Sequence, residues 1–331
     1  MTARSPYKEF ANKMMHPDST YIPKIVQSMI NDTQAELLLA LPATAQQLAE
    51  DFDMPLSEVQ GHLEDMYRKG LTFKKQKQEG LLWRPPMHIA QFHDATIVWP
   101  EASEEFYQLW RKYMEEEWPE LAPGIAQILQ RPFTRVIPVE TSIDSDNAQV
   151  QVSEHVKEIL RSAERIAVTK CTCRLSMQKC DNPLEVCIQI NKGADYTIDR
   201  GSGREISLEE ALSIIDKTEE AGLVHVTMNK ADVGHFICNC CGCCCQSFSL
   251  LISDGIELCD PSRFVPTVDQ ETCIGCGSCE QRCWFHAISV GEDNTAEVHT
   301  EKCLGCGQCA NVCPEGAIVM SELREQDFIP Q

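Results

Sequence analysis

Six cysteines stand within eight residues of the sequence, in the run CNCCGCCC at residues 238–245. One disulfide uses two thiols and one structural zinc ion uses four, so neither accounts for the whole run. Four further cysteines precede it with the spacing C-x-C-x6-C-x6-C. Together they give ten thiols that predict metal ligation: Cys171, Cys173, Cys180, Cys187, Cys238, Cys240, Cys241, Cys243, Cys244 and Cys245.

The ten thiols are too many for one site. Neighbouring side chains of an extended segment point to opposite sides, so Cys240 and Cys241 cannot both face one metal centre, and the same holds along residues 243–245. We expect some of these cysteines to bind metal. The remaining cysteines have three alternative roles: they pack in the core, bind a second metal, or act as redox-active thiols.

A second cysteine pattern occurs twice near the C-terminal end. The spacing C-x2-C-x2-C-x3-C is formed by Cys273, Cys276, Cys279 and Cys283, and again by Cys303, Cys306, Cys309 and Cys313. In this spacing three thiolates on a loop bind one cluster, and the fourth cysteine binds the other. Two zinc ions are the alternative use of eight thiols, but the paired spacing and the terminal Cys313-Pro314 favour iron-sulfur clusters.

The repeat resembles bacterial two-cluster ferredoxins. The resemblance implies one [4Fe-4S] cluster on Cys273, Cys276, Cys279 and Cys313, and a second on Cys303, Cys306, Cys309 and Cys283. Trp284 stands where such proteins have a proline after the fourth cysteine of the first copy. Four glycines are expected to let the backbone bend around the clusters and to expose amides to the sulfides: Gly275, Gly277, Gly305 and Gly307.

The central run is predicted to form one wall of an iron-sulfur pocket, with the CTCR segment at residues 171–174 as the other wall and Gly242 in a tight bend. At least one further cluster is expected there, and two clusters or one noncubane cluster are alternatives. Arg174 is expected either to place positive charge beside a cluster, to contact a partner, or to pair with an acid. Cys259 is predicted to be a spare buried thiol, with ligation as the alternative.

The whole order of motifs resembles a broad group of iron-sulfur binding proteins of anaerobic bacteria and archaea. It runs from the N-terminal helices through CTCR, NPLEVC, GREIS and ICNCCGCCC to the double repeat. This resemblance implies electron transfer. Residues 240–242 are also similar to the CCG element of heterodisulfide reductases, but only one of the spaced elements that those proteins need is present.

Composition and charge limit the remaining possibilities. All nineteen cysteines follow residue 170, and an odd number of thiols argues against a disulfide framework. No stretch reaches the roughly 18 apolar residues of a membrane span, and residues 1–25 lack a signal-peptide core, which together predict a cytoplasmic protein without membrane insertion. The formal net charge of −21 disfavours a general nucleic-acid-binding surface.

The elements that position the cysteines predict an α+β, multidomain chain. Residues 1–85 resemble a winged-helix domain, with helices at TAQQLAEDF and LSEVQGHLEDMYRKG followed by a hairpin. Residues 86–150 are predicted to be a helical linker region, 151–262 a cysteine-rich α/β iron-sulfur module, and 263–331 a two-cluster ferredoxin domain. In the second helix we expect Ser57 or a neighbour to be the cap, and Leu56, Val59, Leu63 and Met66 to form one face.

The sequence leaves three functions open. The first is an electron-transfer protein or subunit with redox partners such as a flavoprotein or a larger reductase, because no phosphate loop, Rossmann motif or flavin motif is visible. The second is a reductase acting on a substrate, for example a disulfide, at the central cluster. The third is a redox-responsive regulator, although residues 1–80 contain nine basic and eleven acidic residues and DNA binding is therefore not expected. A homodimer through the N-terminal domain is a further expectation.

Overall fold

The computed structural model describes residues 5–78, 80–143, 150–232 and 234–331. The domain predictions for 1–85, 86–150 and 151–262 include residues 1–4, Glu79, 144–149 and Val233, which lie outside the described residues. Glu79 falls in the predicted hairpin turn, and residues 1–4 fall in the segment without a signal-peptide core. The fold is a mixture of helices and sheets that forms two compact units.

The first compact unit comprises Met1–Leu121, Leu175–Met177 and Asp199–Ser202. Its described helices are α1 (Pro6–Lys13), α2 (Tyr21–Met29), α3 (Asp32–Ala40), α4 (Ala45–Asp51), α5 (Leu56–Arg68), α6 (Ile89–Ile97) and α7 (Glu104–Lys112). Its strands are β1 (Ala43–Thr44), β2 (Phe73–Lys77) and β3 (Gly80–Arg84), which form an antiparallel sheet in the order β1-β3-β2.

Local sequence explains where these helices begin. Capping boxes start α3 at Asn31 and α4 at Thr44, each with a glutamine three residues later. Helix α5 differs from the sequence expectation, because Pro55 is its cap and Leu56 is 38% exposed. The other three residues of the predicted face of α5, Val59, Leu63 and Met66, are fully buried.

Helix α7 continues through a π-helical turn at Tyr113–Glu117 into α8 (Trp118–Ile128). The sequence predicts Pro123 as the flank of a short helix, and this prediction is wrong, because Pro123 lies inside α8.

The second compact unit comprises Ala122–Arg174, Gln178–Ile198 and Gly203–Gln331. Its central sheet has the order β10-β4-β8-β9-β6-β5-β7, and every neighbouring pair is antiparallel except β10 with β4. The strands are β4 (Thr134–Ile137), β5 (Ile166–Lys170), β6 (Glu185–Ile190), β7 (Arg204–Glu205), β8 (Val224–Met228), β9 (Phe236–Cys240) and β10 (Cys259–Asp260).

The α-helices described between β4 and β10 are α9 (Val156–Arg161), α10 (Thr172–Met177), α11 (Lys192–Asp199), α12 (Leu208–Glu220) and α13 (Gln246–Asp254). Ser207 caps α12 by accepting a hydrogen bond from the Glu210 amide at 3.1 Å. The carboxylate of Glu210 pairs with Arg204 at 2.6 Å. Ser207 and Glu210 have the sequence spacing that predicts a capping box. The hydroxyl half of that box is present, whereas the Glu210 side chain pairs with Arg204 instead of the Ser207 amide.

The C-terminal segment contains two small antiparallel sheets and two short helices. Strand β11 (Phe264–Val268) pairs with β14 (Ile318–Glu322), and β12 (Ile288–Val290) pairs with β13 (Ala296–Val298). Each of the helices α14 (Ser278–Arg282) and α15 (Gln308–Asn311) contains the third cysteine of one repeat. Within the described residues, no helix is both long and apolar enough to cross a lipid bilayer.

Candidate metal centres

The two copies of the cysteine repeat form two separate cavities. The first is lined by Cys273, Cys276, Cys279 and Cys313, and the second by Cys303, Cys306, Cys309 and Cys283. In each cavity, three cysteines come from one copy and the fourth from the other. The two cavities are similar in extent, with about 340 and 350 Å³ of space that includes open solvent.

Both copies bend their backbone in the same way around these cavities. Gly275 and Gly305 have φ of +64° and +65°, and Gly277 and Gly307 have φ of +75° and +76°. A Cβ at Gly305 would also lie 2.1 Å from the carbonyl oxygen of Phe264, so a side chain there is excluded by contact as well as by conformation. The repeat in sequence is therefore a repeat in backbone geometry.

The donor set of the second cavity fits a thiolate-bound cluster. The amide of Gly305 donates to the Cys303 sulfur, and the amide of Ala287 donates to the Cys283 sulfur, each at 3.3 Å. Burial raises the pKa of the Cys306 thiol to about 12, so this buried thiol is costly to ionise unless a metal binds it. Amide donors to sulfur are a known means of tuning cluster potential.

The comparisons with known proteins bear on this segment. Residues 266–320 match the family model of the 4Fe-4S dicluster domain. No curated protein and no solved structure matches the chain. Together with the lining of the two cavities, the match defines an iron-sulfur protein with [4Fe-4S] cofactors. Its C-terminal segment contains a ferredoxin-like dicluster domain.

The ten central cysteines separate into two groups. Strand β9 brings Cys238 and Cys240 to the same face of the sheet, because they are two residues apart. The chain then turns at residues 242–244 before α13 begins. Cys240 and Cys241 consequently join different groups, as the alternation of extended side chains predicts.

The larger group is a closed ring of six thiols, in which each cysteine interacts with two neighbours. The order around the ring is Cys171, Cys173, Cys245, Cys240, Cys238, Cys187 and back to Cys171. We call it the six-cysteine ring. Hydrogen bonds from the Cys173 and Cys187 thiols lower the pKa of Cys171, and those from Cys173 and Cys240 lower the pKa of Cys245. The same hydrogen bonds, together with burial, raise the pKa of Cys173, Cys187 and Cys240, so a fully ionised ring requires a bound metal.

The smaller group consists of Cys180, Cys241, Cys243 and Cys244, whose four sulfur atoms lie within 4.8 Å of one another. We call it the four-cysteine group. A hydrogen bond from the Cys244 thiol, together with donors from the Cys244 amide and Arg174, lowers the pKa of Cys241 to about 5 despite burial. Cys241 and Cys244 are each 1% exposed.

Two single residues of the central region, Cys259 and Gly242, have packing roles. Cys259 is buried, and its thiol donates to the carbonyl of Asp260 at 3.7 Å. Burial raises the pKa of this thiol, which is consistent with a neutral cysteine that packs in the core. Gly242 lies in the turn, but its backbone is outside the positive-φ region. A Cβ on Gly242 would lie 2.8 Å from the Trp284 ring, so close packing is what requires a glycine.

Arg174 is the charged residue of this region, and it is only 2% exposed. Its two terminal nitrogens each lie 3.1 Å from the carbonyl oxygen of Asn239, and it also hydrogen-bonds to Cys241. The thiols of Cys171 and Cys187 are near enough to act on its charge. Of the three expectations for Arg174, the position beside the cysteines is the one that the structure supports.

Sequence reasoning did not predict the contacts of two residues that position this region, Asn239 and Trp284. Asn239 is fully buried, and its amide group donates to Val186 O at 2.6 Å while its oxygen lies 2.6 Å from His225 Nδ1. These contacts hold the backbone carbonyl of Asn239 in position to accept hydrogen bonds from Arg174. Trp284 is the other, because its indole nitrogen donates to Gly222 O at 2.8 Å. An asparagine inside a run of cysteines and a tryptophan in place of proline were the available signals.

Proposed function

We propose that this chain is an electron-transfer protein or subunit that relays single electrons between redox partner proteins, using the dicluster domain and a further cluster in the six-cysteine ring. Bound iron-sulfur clusters supply reversible one-electron chemistry. The main support is one continuous apolar core. Cys240 and Cys245 of the ring belong to the same buried cluster as Phe285 and Leu304, against which Cys303 and Cys306 pack.

A second core supports the relay inside the dicluster domain. Cys279 from the first cavity and Cys309 from the second are buried together with Ile288, Ala296 and Ile318. Apolar side chains therefore lie between the neighbouring sites, while Cys276 of the first cavity is exposed. A dry, rigid environment lowers the reorganisation energy of electron transfer. Burial also influences the reduction potential of a cluster.

The chain's own residues hold the ring in place for this role. Asn239 and Arg174 join β9 to the segment that contains Cys171 and Cys173. Arg282 donates to Glu220 O at 3.0 Å and Gln308 donates to Leu223 O at 2.7 Å, beside the Trp284 hydrogen bond. These three side chains of the dicluster domain thus bind the end of α12 and the start of β8.

An anaerobic redox titration followed by electron paramagnetic resonance tests the proposal. We expect three one-electron reductions per chain, with magnetic interaction between at least one dicluster signal and the third. Two reductions without a third would contradict the proposed role of the ring.

The alternative is a reductase that acts on a small disulfide at the ring. The observation in its favour is that six thiols exceed the four that one [4Fe-4S] cluster takes, which leaves thiols for chemistry. Such a reaction takes two electrons and two protons per disulfide and yields two thiols. Reduced methyl viologen as donor, with a small disulfide as acceptor, distinguishes the two. Catalytic thiol production supports the reductase, and stoichiometric reoxidation alone supports the carrier.

A further inference from the structure

The sulfur atoms of the four-cysteine group lie closer to one another than the cysteine sulfurs of a [4Fe-4S] site do. The sulfur of Cys180 lies 3.9 Å from that of Cys241 and 3.8 Å from that of Cys244, and the Cys243 and Cys244 sulfurs are 3.8 Å apart. Among residues 5–78, 80–143, 150–232 and 234–331, it is the one group of three or more Cys, His or acidic ligand atoms this close together. The eight cysteines of the two dicluster cavities do not form such a group.

These distances match the geometry of a single tetrahedral ion. A zinc–sulfur bond is about 2.3 Å long, so the edge of a ZnS4 tetrahedron is about 3.8 Å. In a [4Fe-4S] cluster each thiolate binds a different iron, and the Fe4S4 core keeps the four cysteine sulfurs further apart. Four thiols at this spacing therefore suit one ion between them.

Hydrogen-bond donors contact three sulfur atoms of the group. The side-chain amide of Asn182 donates to the Cys180 sulfur at 3.3 Å. The Lys179 amide donates to Cys244, and the Cys244 amide donates to Cys241. Hydrogen bonds of this kind to ligand sulfurs orient the ligands of metal sites.

Arg174 supplies a second, independent argument. The buried guanidinium hydrogen-bonds to the Asn239 carbonyl and to Cys241, and it also lies near Cys171 and Cys187 of the ring. A buried positive charge is favourable only beside negative charge. Four thiolates on one divalent ion leave a net charge of about −2, which places negative charge on the Cys241 side of Arg174.

We propose that Cys180, Cys241, Cys243 and Cys244 bind one divalent metal ion in tetrahedral tetrathiolate coordination, with zinc or ferrous iron as the occupant. The ion ties the loop after α10, which contains Cys180, to the turn that follows β9. The site is separate from the six-cysteine ring, and the inference does not depend on the proposed electron-transfer function.

The test uses the full-length protein purified without oxygen. Elemental analysis is combined with X-ray absorption at the zinc and iron edges and with acid-labile sulfide determination. Zinc at about one per chain, with four sulfurs at about 2.3 Å and no nearby metal, supports the proposal with zinc as occupant. About one iron per chain in excess of sulfide, with a mononuclear tetrathiolate Mössbauer signal, supports it with iron. Absence of both overturns it.

Variants separate this site from the clusters. Cys180→Ser is expected to lose the single ion while acid-labile sulfide and the dicluster resonance signals stay unchanged. Cys259→Ala, which also removes a cysteine of the central region, should keep the ion. Retention of the ion in Cys180→Ser, or a parallel loss of about four sulfides, contradicts the proposal. If the proposed third cluster is wrong, sulfide will be about eight per chain with the ion still present, so the two failures are distinguishable.

Discussion

The indole nitrogen of Trp284 donates a hydrogen bond to the backbone carbonyl of Gly222 at a distance of 2.8 Å. Trp284 directly follows Cys283, which lines the second dicluster cavity, and its ring also packs against Gly242 in the central cysteine run. One side chain therefore links the dicluster domain to two parts of the central sheet region. A proline at this position has neither the hydrogen-bond donor nor the ring size to make these contacts.

We expect Trp284→Phe to destabilise the second compact unit by about 1 kcal/mol, because the Gly222 carbonyl loses its donor while much of the apolar contact is kept. Anaerobic urea unfolding, followed by the visible absorbance of the clusters, measures this change. Trp99→Phe is the control, since Trp99 lies in the first compact unit and packs edge-to-face on Phe106. Equal stability of Trp284→Phe and the wild type would show that this contact is dispensable.

The six-cysteine ring predicts a specific loss of iron. Replacing Cys171, Cys173 and Cys187 together by alanine leaves three thiols in the ring, too few for the four corners of a [4Fe-4S] cluster. We expect iron and sulfide to fall by about four each per chain. The dicluster resonance signals should persist, which shows that the variant has folded. Cys259→Ala should keep the full iron content, and an unchanged iron content in the triple variant would refute the ring as a cluster site.

Removal of the buried charge of Arg174 should lower the potential of the ring cluster. Arg174→Met takes away a positive charge that stabilises the additional electron, so the midpoint potential should become more negative by tens of millivolts, on the order of 50 mV. Arg174→Lys keeps the charge but loses the two-pronged contact with Asn239, and a smaller shift is expected. Potentiometric titration monitored by electron paramagnetic resonance measures both. A more positive midpoint potential in Arg174→Met would contradict this prediction.

Arg263 forms a buried ion pair with Glu154 that is important for stability. Its Nε and Nη2 donate to the two carboxylate oxygens at 2.8 and 2.9 Å, and the two side chains are 0% and 1% exposed. Glu154→Gln removes the fully buried one of two carboxylates that compensate Arg263, the other being Glu322 at 2.7 Å, and it should cost about 2 kcal/mol in the free energy of unfolding. The matched control is Glu158→Gln, in an exposed pair with Arg161, where a change within about 0.5 kcal/mol is expected. Similar urea midpoints for the two variants would contradict this ranking.

The first compact unit is not expected to bind DNA. Lys69 lies 2.7 Å from Asp65, and Lys74 lies 2.9 Å from Glu64, so acids of α5 neutralise two of the nearby cations. Phosphate contacts need a basic surface. Fluorescence anisotropy with a mixed-sequence duplex at low salt should show no binding by the oxidised or the reduced protein. Binding that weakens with salt and changes on reduction would instead favour the redox-responsive regulator.

Sequence spacing predicted the grouping of the dicluster cysteines because the pattern is local. Each copy supplies three cysteines of one cavity within seven residues, and the fourth cysteine of that cavity comes from the other copy. The division of the central ten cysteines was only partly predictable. Alternation separated Cys240 from Cys241, but the partners of each depend on how β9, β6 and the 171–187 segment meet, which is a tertiary property.

Other differences have equally physical origins. Helix α3 was missed because its apolar residues lie side by side at residues 37–39 and show little helical periodicity, although its capping box was visible at Asn31 and Gln34. Gly242 was assigned to a bend, whereas the contact with Trp284 forty-two residues later in the sequence is what excludes a side chain. Such long-range contacts are not encoded in spacing. The winged-helix interpretation of residues 1–85 and the division into four domains remain predictions.

The most direct test of the central claim is the amount of iron and acid-labile sulfide per chain in protein purified without oxygen. Two dicluster sites and one cluster in the six-cysteine ring predict about twelve sulfides with at least about twelve irons, and three resonance signals after reduction. About eight sulfides and two signals would confine the clusters to the dicluster domain. That result would contradict the account of CNCCGCCC as part of an iron-sulfur site.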